Sequence, residues 1–349
     1  MKIRVGILTA PKIEFELREH TFLLRNVRIG IGFHWDRLED QEFEGTLEIR
    51  NNPDGTQTAI NTLDLEDYLT SVISSEMSAD SPIELLKAHA VISRSWALRA
   101  IAQKPHEQMV NGQLVNDFDV CADDHCQRYE GLRRRNERAV QAVKATAGQV
   151  LMYGEEICDC RYYKCCGGKT EIWSTCWEDK DVPYIRSVDF PYCGRASERT
   201  LRLVLNDYDQ ETRDFHDWQV SYTAEELSEI IRTKTGIDFG EIIDLIPLKR
   251  GASGRIYELK IVGSKHTETI SKELNIRYAL SPKCLYSSWF DVKKSLNNKL
   301  STFNITGHGW GHGAGLCQIG AAQMAVEGKK YEEILVYYYA NSRLSTSAK

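Results

Sequence analysis

The sequence predicts an α+β fold in which mixed β-sheet elements surround a buried helical centre, with a smaller α+β insertion. Short alternating segments, typical of half-buried strands, fill residues 1–62. Residues 82–102 then carry apolar side chains on nearly every side of a helix, which indicates a helix in the middle of the fold. Residues 200–300 contain a helix followed by strands of their own, which predicts a semi-independent unit.

These patterns predict a division of the chain into an N-terminal β-rich segment (1–62), a core (63–199 with 301–349) and an α+β subdomain (200–300). At 349 residues, of which 42% are hydrophobic and 27% charged, the composition is that of an ordinary globular protein with a sizeable core. No apolar run reaches the length of a transmembrane helix, and Met1–Leu8 is too short and polar for a signal-peptide core.

In the N-terminal segment, the pattern predicts four strands, with a turn at residues 51–55 before the last of them: Ile3–Leu8, Ile13–Leu17, Phe43–Ile49 and Gln57–Ile60. The period then changes to that of a helix, which Asp64 can cap. A second helix opens at Ser81-Pro82, where Glu84 completes the sequence of a capping box. Within this apolar helix Arg94 needs a carboxylate partner if it is buried, and Glu76 or another nearby acid is a candidate; otherwise it is a solvated arginine on a polar stripe.

Beyond residue 130 the same reasoning predicts helices and strands in alternation. Thr223 and Glu226 form a second capping-box sequence, for a helix that ends before Gly236. The elements expected are a helix at Leu132–Ala145, strands at Gln149–Tyr153, Cys158–Lys164, Ile242–Ile246, Ile256–Val262 and Thr267–Ile270, and helices at Leu316–Glu327 and Tyr331–Tyr339.

A glycine–histidine loop, residues 307–315, places His308 and His312 four residues apart among five glycines. Glycine at every second position lets the backbone adopt positive φ and approach a ligand closely. The histidines could orient a substrate hydroxyl or move a proton. A metal site is less favoured, since the glutamate that follows the first histidine of zinc-protease helices is missing. The alternative is a glycine-rich turn whose histidines bond local carbonyl groups.

Ten cysteines are many for a reducing compartment, yet the chain is too long to need disulfides for stability. Cys121, His125 and Cys126 offer two thiolates and an imidazole, which favour a zinc ion in four-coordinate geometry. The fourth ligand could be His106, Asp117 or Asp119, or a water; the alternative is a disulfide or free thiols. Six further cysteines in residues 158–193 are interpreted as small buried hydrophobic residues.

Two other features bear on function. Glu76 closes an apolar helix just before a loop, where a partly desolvated carboxyl group could act as a general acid, although most glutamates at helix ends are solvated. The net charge is -6 and the longest basic run is Arg133–Arg135, so there is no electrostatic footprint for nucleic acid.

Two long motifs together resemble one family. The sequence GHGWGHGAGLCQIGA at 307–321, with Gly328 and the tyrosine-rich segment after it, is similar to the C-terminal signature of the stage II sporulation protein D and amidase-enhancer (LytB) family. Residues 65–77, ending in Glu76-Met77, and residues 85–97 resemble its other signature. The resemblance spans roughly residues 60–340.

The resemblance implies a lytic transglycosylase that cleaves the bond between N-acetylmuramic acid and N-acetylglucosamine in peptidoglycan glycan strands and leaves 1,6-anhydro ends. It implies Glu76 as the catalytic acid and base. Some relatives carry zinc near the position of Cys121–Cys126, which supports structural zinc at Cys121, His125 and Cys126, with His106 kept as a candidate fourth ligand. The expected sugar-binding groove is lined by Arg94, His308, His312 and two tyrosines, Tyr162 and Tyr163, and the loop glycines are expected to let the glycan approach.

The same resemblance leaves other functions open: a non-catalytic glycan-binding enhancer of a cell-wall amidase, or a zinc amidase or peptidase. A wall substrate implies a place outside the cytoplasmic membrane, but without a signal peptide in the sequence a cytoplasmic place stays open. The sequence also departs from the family pattern at two points. A histidine expected shortly before Cys121 is absent, and Lys164-Cys165-Cys166 stands where a serine-rich segment is usual.

Overall fold

Small sheets and helices alternate along the chain, which confirms the α+β class. No helix in the described part of the chain is long and apolar enough to cross a membrane. The structure is a computed structural model, and it describes residues 1–31, 33, 36–78, 80–104, 108–110, 113–189, 192–206, 209, 216–297 and 300–346.

The N-terminal strands form one sheet in the order β5-β6-β1-β9 and a second in the order β2-β3-β4, while β7 pairs with β8. In the first sheet, β1 pairs in parallel with β9, which places Gly6 opposite Cys121. The N-terminal segment therefore holds the cysteine–histidine motif directly. The strands are β1 Lys2–Ala10, β2 Phe15–Leu17, β3 Thr21–Ile29, β4 Arg37–Glu44, β5 Thr46–Asn51, β6 Gln57–Asp64, β7 Gln108–Val110, β8 Gln113–Asn116 and β9 Val120–Cys121.

One predicted strand, Phe43–Ile49, is wrong as a single element. The chain reverses at Gly45, whose φ of +92° favours glycine, so β4 and β5 end up in different sheets. The strand β3 is not predicted by the pattern, because Asn26 at φ +55° interrupts the alternation and shifts the register against β4.

Three helices follow: α1 Leu65–Glu76, α2 Ile83–Gln103 and α3 Glu137–Ala145. The helix α2 is buried along most of its length, as its apolar pattern predicts. The capping box predicted at Ser81 is wrong. The Ser81 hydroxyl donates instead to the carbonyl of Leu203 at 3.2 Å, and Pro82 occupies the N-cap position of α2. The third helix begins later than predicted, because Asn136 caps it.

Between α3 and the insertion, short elements run close to the buried helices. They are β10 Gln149–Tyr153, β11 Glu156–Ile157, β12 Tyr162–Tyr163, α4 Trp173–Cys176, a 3-10 turn Cys193–Arg195 and α5 Glu198–Val204.

A second hydrophobic core lies within residues 218–305, apart from the larger core of the remaining chain. It is built by β13 Asp217–Thr223, α6 Ala224–Thr235, β14 Ile242–Arg250, β15 Ile256–Gly263, β16 Thr267–Ser271, α7 Glu273–Ala279, β17 Phe290–Asn297 and β18 Leu300–His308. The capping box of Thr223 and Glu226 is confirmed, as is the left-handed C-cap at Gly236. The strand that leads into the glycine–histidine loop, β18, is the middle strand of the sheet β13-β18-β17.

The chain ends with β19 Leu316–Cys317, α8 Gln318–Val326, α9 Tyr331–Tyr338 and β20 Arg343–Thr346. The strand β19 pairs in parallel with β12, which sets Tyr162 opposite Leu316 and Tyr163 opposite Cys317. This pairing joins the segment after the glycine–histidine loop to the middle of the chain, and it positions the site described next.

Candidate functional site

The carboxylate of Glu76 lies at the end of a buried helix. The side chains of Ser74 and Ser75 are buried and bond back to carbonyl groups one turn earlier. At Met77 the backbone becomes extended (φ −140°), so α1 ends there. The half-buried Glu76 side chain then lines a cleft of about 690 Å³.

Three hydrogen-bond donors hold this carboxylate. The Tyr162 hydroxyl donates to Oε1 at 2.9 Å and the backbone N–H of Arg128 donates to the same oxygen at 3.2 Å. The side-chain amide of Gln318 is 3.4 Å from Oε2. Burial, and then the charge of Glu76, raise the pKa of Tyr162 well above its usual value, so its hydroxyl stays protonated and donates.

A buried histidine, His89, forms a hydrogen bond with the side chain of Gln318. The Nε2 atom of His89 is 3.2 Å from Nε2 of Gln318, and its Nδ1 is 3.1 Å from the hydroxyl of Ser93. Burial, and then the charge of Lys164, lower the pKa of His89 to about 3, so the ring is neutral. An amide nitrogen can only donate; hence Nε2 of His89 accepts from Gln318 and its Nδ1–H donates to Ser93.

This neutral histidine predicts a pH dependence of stability. The folded-state pKa of His89 lies below its unfolded value, so the unfolded chain binds the proton first and stability falls as the pH drops below about 6.5. We expect this group alone to lower the free energy of unfolding by about 2 kcal/mol between pH 7 and pH 5. In His89→Gln, whose amide oxygen can still accept from Gln318, that part of the pH dependence is lost. Urea unfolding of both proteins at the two pH values measures it, and identical pH dependence contradicts it.

Aromatic side chains form much of the cleft wall, among them Trp96, Trp177 and Trp310. The guanidinium of Arg161 lies over the Trp177 ring at 4.9 Å and over the Trp96 ring at 5.7 Å. Its Nε also bonds the carboxylate of Asp159 at 2.7 Å. Flat apolar surfaces beside fixed polar groups are typical of small-molecule binding clefts.

Other carboxylates in the cleft have cationic partners. Asp124 pairs with Arg128 at 2.9 Å, and the buried Asp209 pairs with Lys164 at 2.7 Å. Asp123 differs, because burial and then the neighbouring charge of Asp124 raise its pKa to about 6. The carboxylates of the cleft therefore differ in their partners, and Glu76 is the one held by the hydroxyl and amide donors described above.

The cysteine–histidine motif lines the same cleft through His125 and Cys126. The ligand atoms of Cys121, His125 and Cys126 all lie within 4.8 Å of one another, so this cluster could hold a metal ion. The backbone N–H of Cys121 donates to the Cys126 sulfur at 3.3 Å. Two thiols and an imidazole fit zinc, which prefers nitrogen and sulfur ligands.

The three residues considered as a fourth ligand for this cluster are His106, Asp117 and Asp119. His106 lies outside the described residues. Asp117 pairs with Arg4 at 2.9 Å and with Arg50 at 3.5 Å, and Asp119 accepts from the backbone N–H of Arg4 at 2.8 Å. Both aspartates are thus engaged with basic or backbone groups of the first sheet and its neighbours.

Of the two loop histidines, only His312 lines the cleft. Its Nε2 donates to the carbonyl of Tyr162 at 3.0 Å, and its Nδ1 accepts from the backbone N–H of Ala314 at 3.1 Å. Burial, and then Arg161, lower the pKa of His312 well below its usual value, which keeps the ring neutral. Both ring nitrogens are used within the protein, so His312 positions the backbone of Tyr162 and offers a ligand only its ring.

His308 has a different environment. It ends β18, is half-exposed, and its Nδ1 is 2.6 Å from the carboxylate of Asp217. Its ring packs on Trp289 with 5.1 Å between centroids. The structure does not bring it to Glu76. Tyr163 does line the cleft but is buried, with its ring against His312 at 5.2 Å.

The loop glycines contact the protein itself, which corrects the expectation that they admit a glycan. A Cβ on Gly309 would lie 2.8 Å from the carbonyl oxygen of Cys165, and a Cβ on Gly315 would overlap the carbonyl oxygen of Arg161. Both residues have positive φ, +74° and +88°. Glycine is needed here because the loop packs tightly against the segment around β12.

Arg94 does not line the cleft, and the nearby acid that pairs with it is Glu66 rather than Glu76. The arginine side chain is only 1% exposed and forms two bonds with Glu66, at 2.7 and 2.8 Å. A third bond, of 3.0 Å, reaches the carbonyl of Gln149. Arg94 thus joins α1, α2 and β10.

We therefore expect Arg94→Leu to lower the free energy of unfolding by about 2 kcal/mol, because it leaves Glu66 and the Gln149 carbonyl without their partner. The half-exposed Glu66 can be solvated, which keeps the loss below that of a fully buried pair. Chemical denaturation measures it. In a double-mutant cycle with Glu66→Gln, the two losses should not add; additive losses would show that the pair is not coupled.

Sequence reasoning did not single out Gln318, His89 or Arg161. The first two lie within the family motifs, but each looks like a polar residue in an apolar helix. A polar residue in an otherwise apolar helix could have indicated these positions, because a buried polar side chain needs a hydrogen-bond partner.

Comparisons with known proteins agree with the motifs. A family model described as stage II sporulation protein matches residues 53–153, and a domain of unknown function, DUF8618, matches residues 171–315. An uncharacterized protein of Brachyspira hyodysenteriae is 30% identical over 302 residues, which cover 86% of this chain and 72% of that protein.

Two Bacillus subtilis proteins are also similar. Stage II sporulation protein D is 26% identical over 293 residues, covering 82% of this chain and 76% of that protein. The protein named amidase enhancer is 26% identical over 308 residues, covering 80% of this chain but 40% of its own length. With both signature motifs, the matched model and these relatives, the chain belongs to the stage II sporulation protein D family.

Proposed function

We propose that this protein is a lytic transglycosylase that cleaves peptidoglycan glycan strands between N-acetylmuramic acid and N-acetylglucosamine. The observation that carries the proposal is the setting of Glu76 in the aromatic cleft. Its carboxylate is fixed by the Tyr162 hydroxyl and the Gln318 amide, while Asp124 and Asp209 are bound to cationic side chains.

A single free carboxyl group is sufficient for this reaction. Protonated Glu76 gives its proton to the glycosidic oxygen, and the bond from that oxygen to C1 of the muramic acid breaks. The resulting carboxylate takes the proton of the C6 hydroxyl, whose oxygen then bonds to C1 and closes the 1,6-anhydro ring. No water is consumed, and Glu76 ends protonated as it began. Ordinary glycosidases, in contrast, use two carboxyl groups.

The surrounding residues fit these two proton transfers. Tyr162 and Gln318 hold the carboxyl oxygens in place, so that the same group can face the leaving oxygen and then the C6 hydroxyl. Trp96, Trp177 and Trp310 give the cleft an apolar wall, and Arg161, which lies over Trp177, brings a guanidinium group into it. We further propose a place outside the cytoplasmic membrane, where such a substrate is found.

The cluster of Cys121, His125 and Cys126 would hold zinc in a structural role. The chain continues from Cys126 to Arg128, whose backbone N–H bonds Glu76, so a metal at the cluster would hold the segment that supplies this donor. Zinc would supply the cross-link between these ligands and leave the proton transfers to Glu76.

The test is mass spectrometry of the products released from sacculi that an amidase has stripped of stem peptides. Products with 1,6-anhydro ends are the expected result. Reducing ends would show a hydrolase and overturn the transglycosylase assignment, and intact glycan in the presence of folded protein would overturn cleavage altogether.

The name of one relative, amidase enhancer, favours a second candidate function. In this case the cleft binds denuded glycan without cleaving it and stimulates a partner amidase. Glycan binding and amidase stimulation would then survive Glu76→Ala, and the wild-type protein would release no anhydro products.

A further inference from the structure

Three buried cysteines outside the cleft meet behind the glycine–histidine loop. The sulfur atoms of Cys166, Cys193 and Cys317 lie within 4.8 Å of one another, with 3.1 Å between those of Cys166 and Cys193. They come from distant parts of the chain: the turn after β12, the 3-10 turn 193–195 and the N-cap of α8. Cys166 and Cys193, interpreted from the sequence as small buried hydrophobic residues, thus lie together with Cys317 at one point of the fold.

A histidine lies beside this group, next to Cys193. The ring of His216 hydrogen-bonds Cys193. Its Nδ1 is 2.8 Å from the carboxylate of Asp217, while its Nε2 is 3.0 Å from where a Cβ on Gly194 would lie. One ring nitrogen is therefore held by a carboxylate and the other faces the cysteine segment. This is the usual setting of a metal-bound histidine, whose second nitrogen is oriented by an acidic group.

Backbone donors point at one of the sulfurs. Cys317 Sγ accepts from the N–H of Cys166 at 3.3 Å and from that of Gly320, in the first turn of α8, at 3.4 Å. Donors of this kind fix the position of the sulfur atom, as outer partners do for metal ligands. Cys165 adds a further thiol beside Cys193.

We propose that Cys166, Cys193, Cys317 and His216 form a structural zinc site, separate from the cluster at Cys121, His125 and Cys126. Three sulfur ligands and one nitrogen ligand suit four-coordinate zinc. The three cysteines are buried, and with His216 as the fourth ligand the protein would fill every coordination position, as in a closed structural site.

A metal bound at this site would stabilise the glycine–histidine loop and the residues next to the cleft. Cys317 is followed directly by Gln318, whose amide bonds Glu76, and Asp217 bonds both His216 and His308. A metal here would link β13, α8 and the turn after β12. The proposal rests on these ligands and holds whether or not the cleft cleaves glycan.

The test is elemental analysis of the full chain, purified with a thiol reductant and without chelators. We expect His216→Gln and Cys193→Ser each to contain about one zinc ion per chain less than the wild type. Cys284→Ser, at a half-buried cysteine outside both clusters, should keep the wild-type content. Comparison with Cys126→Ser, which affects only the first cluster, separates the two sites: the losses from Cys126→Ser and His216→Gln should add.

Cobalt substitution identifies the ligands. We expect Co²⁺ added to metal-free Cys126→Ser to give the intense thiolate charge-transfer absorption and visible bands of a tetrahedral site, and both features to weaken or shift when His216→Gln is added. Unchanged zinc content in His216→Gln, an unchanged cobalt spectrum, or a Cys166–Cys193 disulfide in peptides of the native protein would each overturn the site. His216 is half-exposed, so its variant remains informative if Cys193→Ser fails to fold.

Discussion

Replacing Glu76 by glutamine is expected to lower the rate of glycan cleavage by about 100- to 10,000-fold, the usual contribution of a positioned acid or base. Glutamine has nearly the same size, and its amide oxygen can still accept from Tyr162. The amide cannot give or take the proton that the leaving oxygen and the C6 hydroxyl require. The fold should persist, because the substitution keeps the packing at the end of α1. Initial rates of anhydro-product release from amidase-treated sacculi measure the effect.

A matched control is the same substitution at another helix end. Glu327 follows α8 and is exposed. Its carboxylate pairs with the exposed side chain of Arg195. We expect Glu327→Gln to cleave glycan at the wild-type rate. If Glu76→Gln retains activity within a few-fold of the wild type, Glu76 is not the general acid; equal denaturation midpoints of all three proteins exclude unfolding as the cause of a loss.

The elements that depend on local sequence were predictable. The apolar residues of α2 point to every side, so its burial follows from its composition. Thr223 and Glu226 make the predicted capping box because both partners lie within one turn. Ser81 has the same kind of sequence, but its hydroxyl bonds Leu203, a residue that no local pattern connects to it.

The residues of the candidate site could not be predicted from local sequence, because they come together through contacts between distant parts of the chain. Glu76 was identified through its resemblance to a family motif, whereas its partner Gln318 is 242 positions away along the chain. Arg94 looked like a cleft residue, yet it pairs with Glu66, because α1 and α2 pack with those side chains together. Similarly, His312 binds the Tyr162 carbonyl because β12 and β19 pair in parallel, a contact across more than 150 residues whose partners are only two residues long.

The pairing of β12 with β19 makes Gly315→Ala the substitution expected to lower the free energy of unfolding most. Gly315 has φ +88°, and a Cβ there would overlap the carbonyl oxygen of Arg161. The same carbonyl accepts the N–H of Leu316 at 3.0 Å, so Gly315→Ala must push β19 away from β12 or break that bond. We expect the free energy of unfolding to fall by about 3–5 kcal/mol, the sum of backbone strain, overlap and a lost buried bond.

Gly328→Ala separates the strain from the overlap. Gly328 has nearly the same φ, +91°, but a Cβ there would meet nothing within 4 Å. This variant should lose only about 1 kcal/mol, the cost of positive φ for alanine. Because β12 carries Tyr162, glycan cleavage by folded Gly315→Ala should also fall, while Gly328→Ala keeps the wild-type rate. Equal losses of stability in the two variants, measured by chemical denaturation, would mean that the backbone conformation alone, and not contact with β12, explains the glycine at position 315.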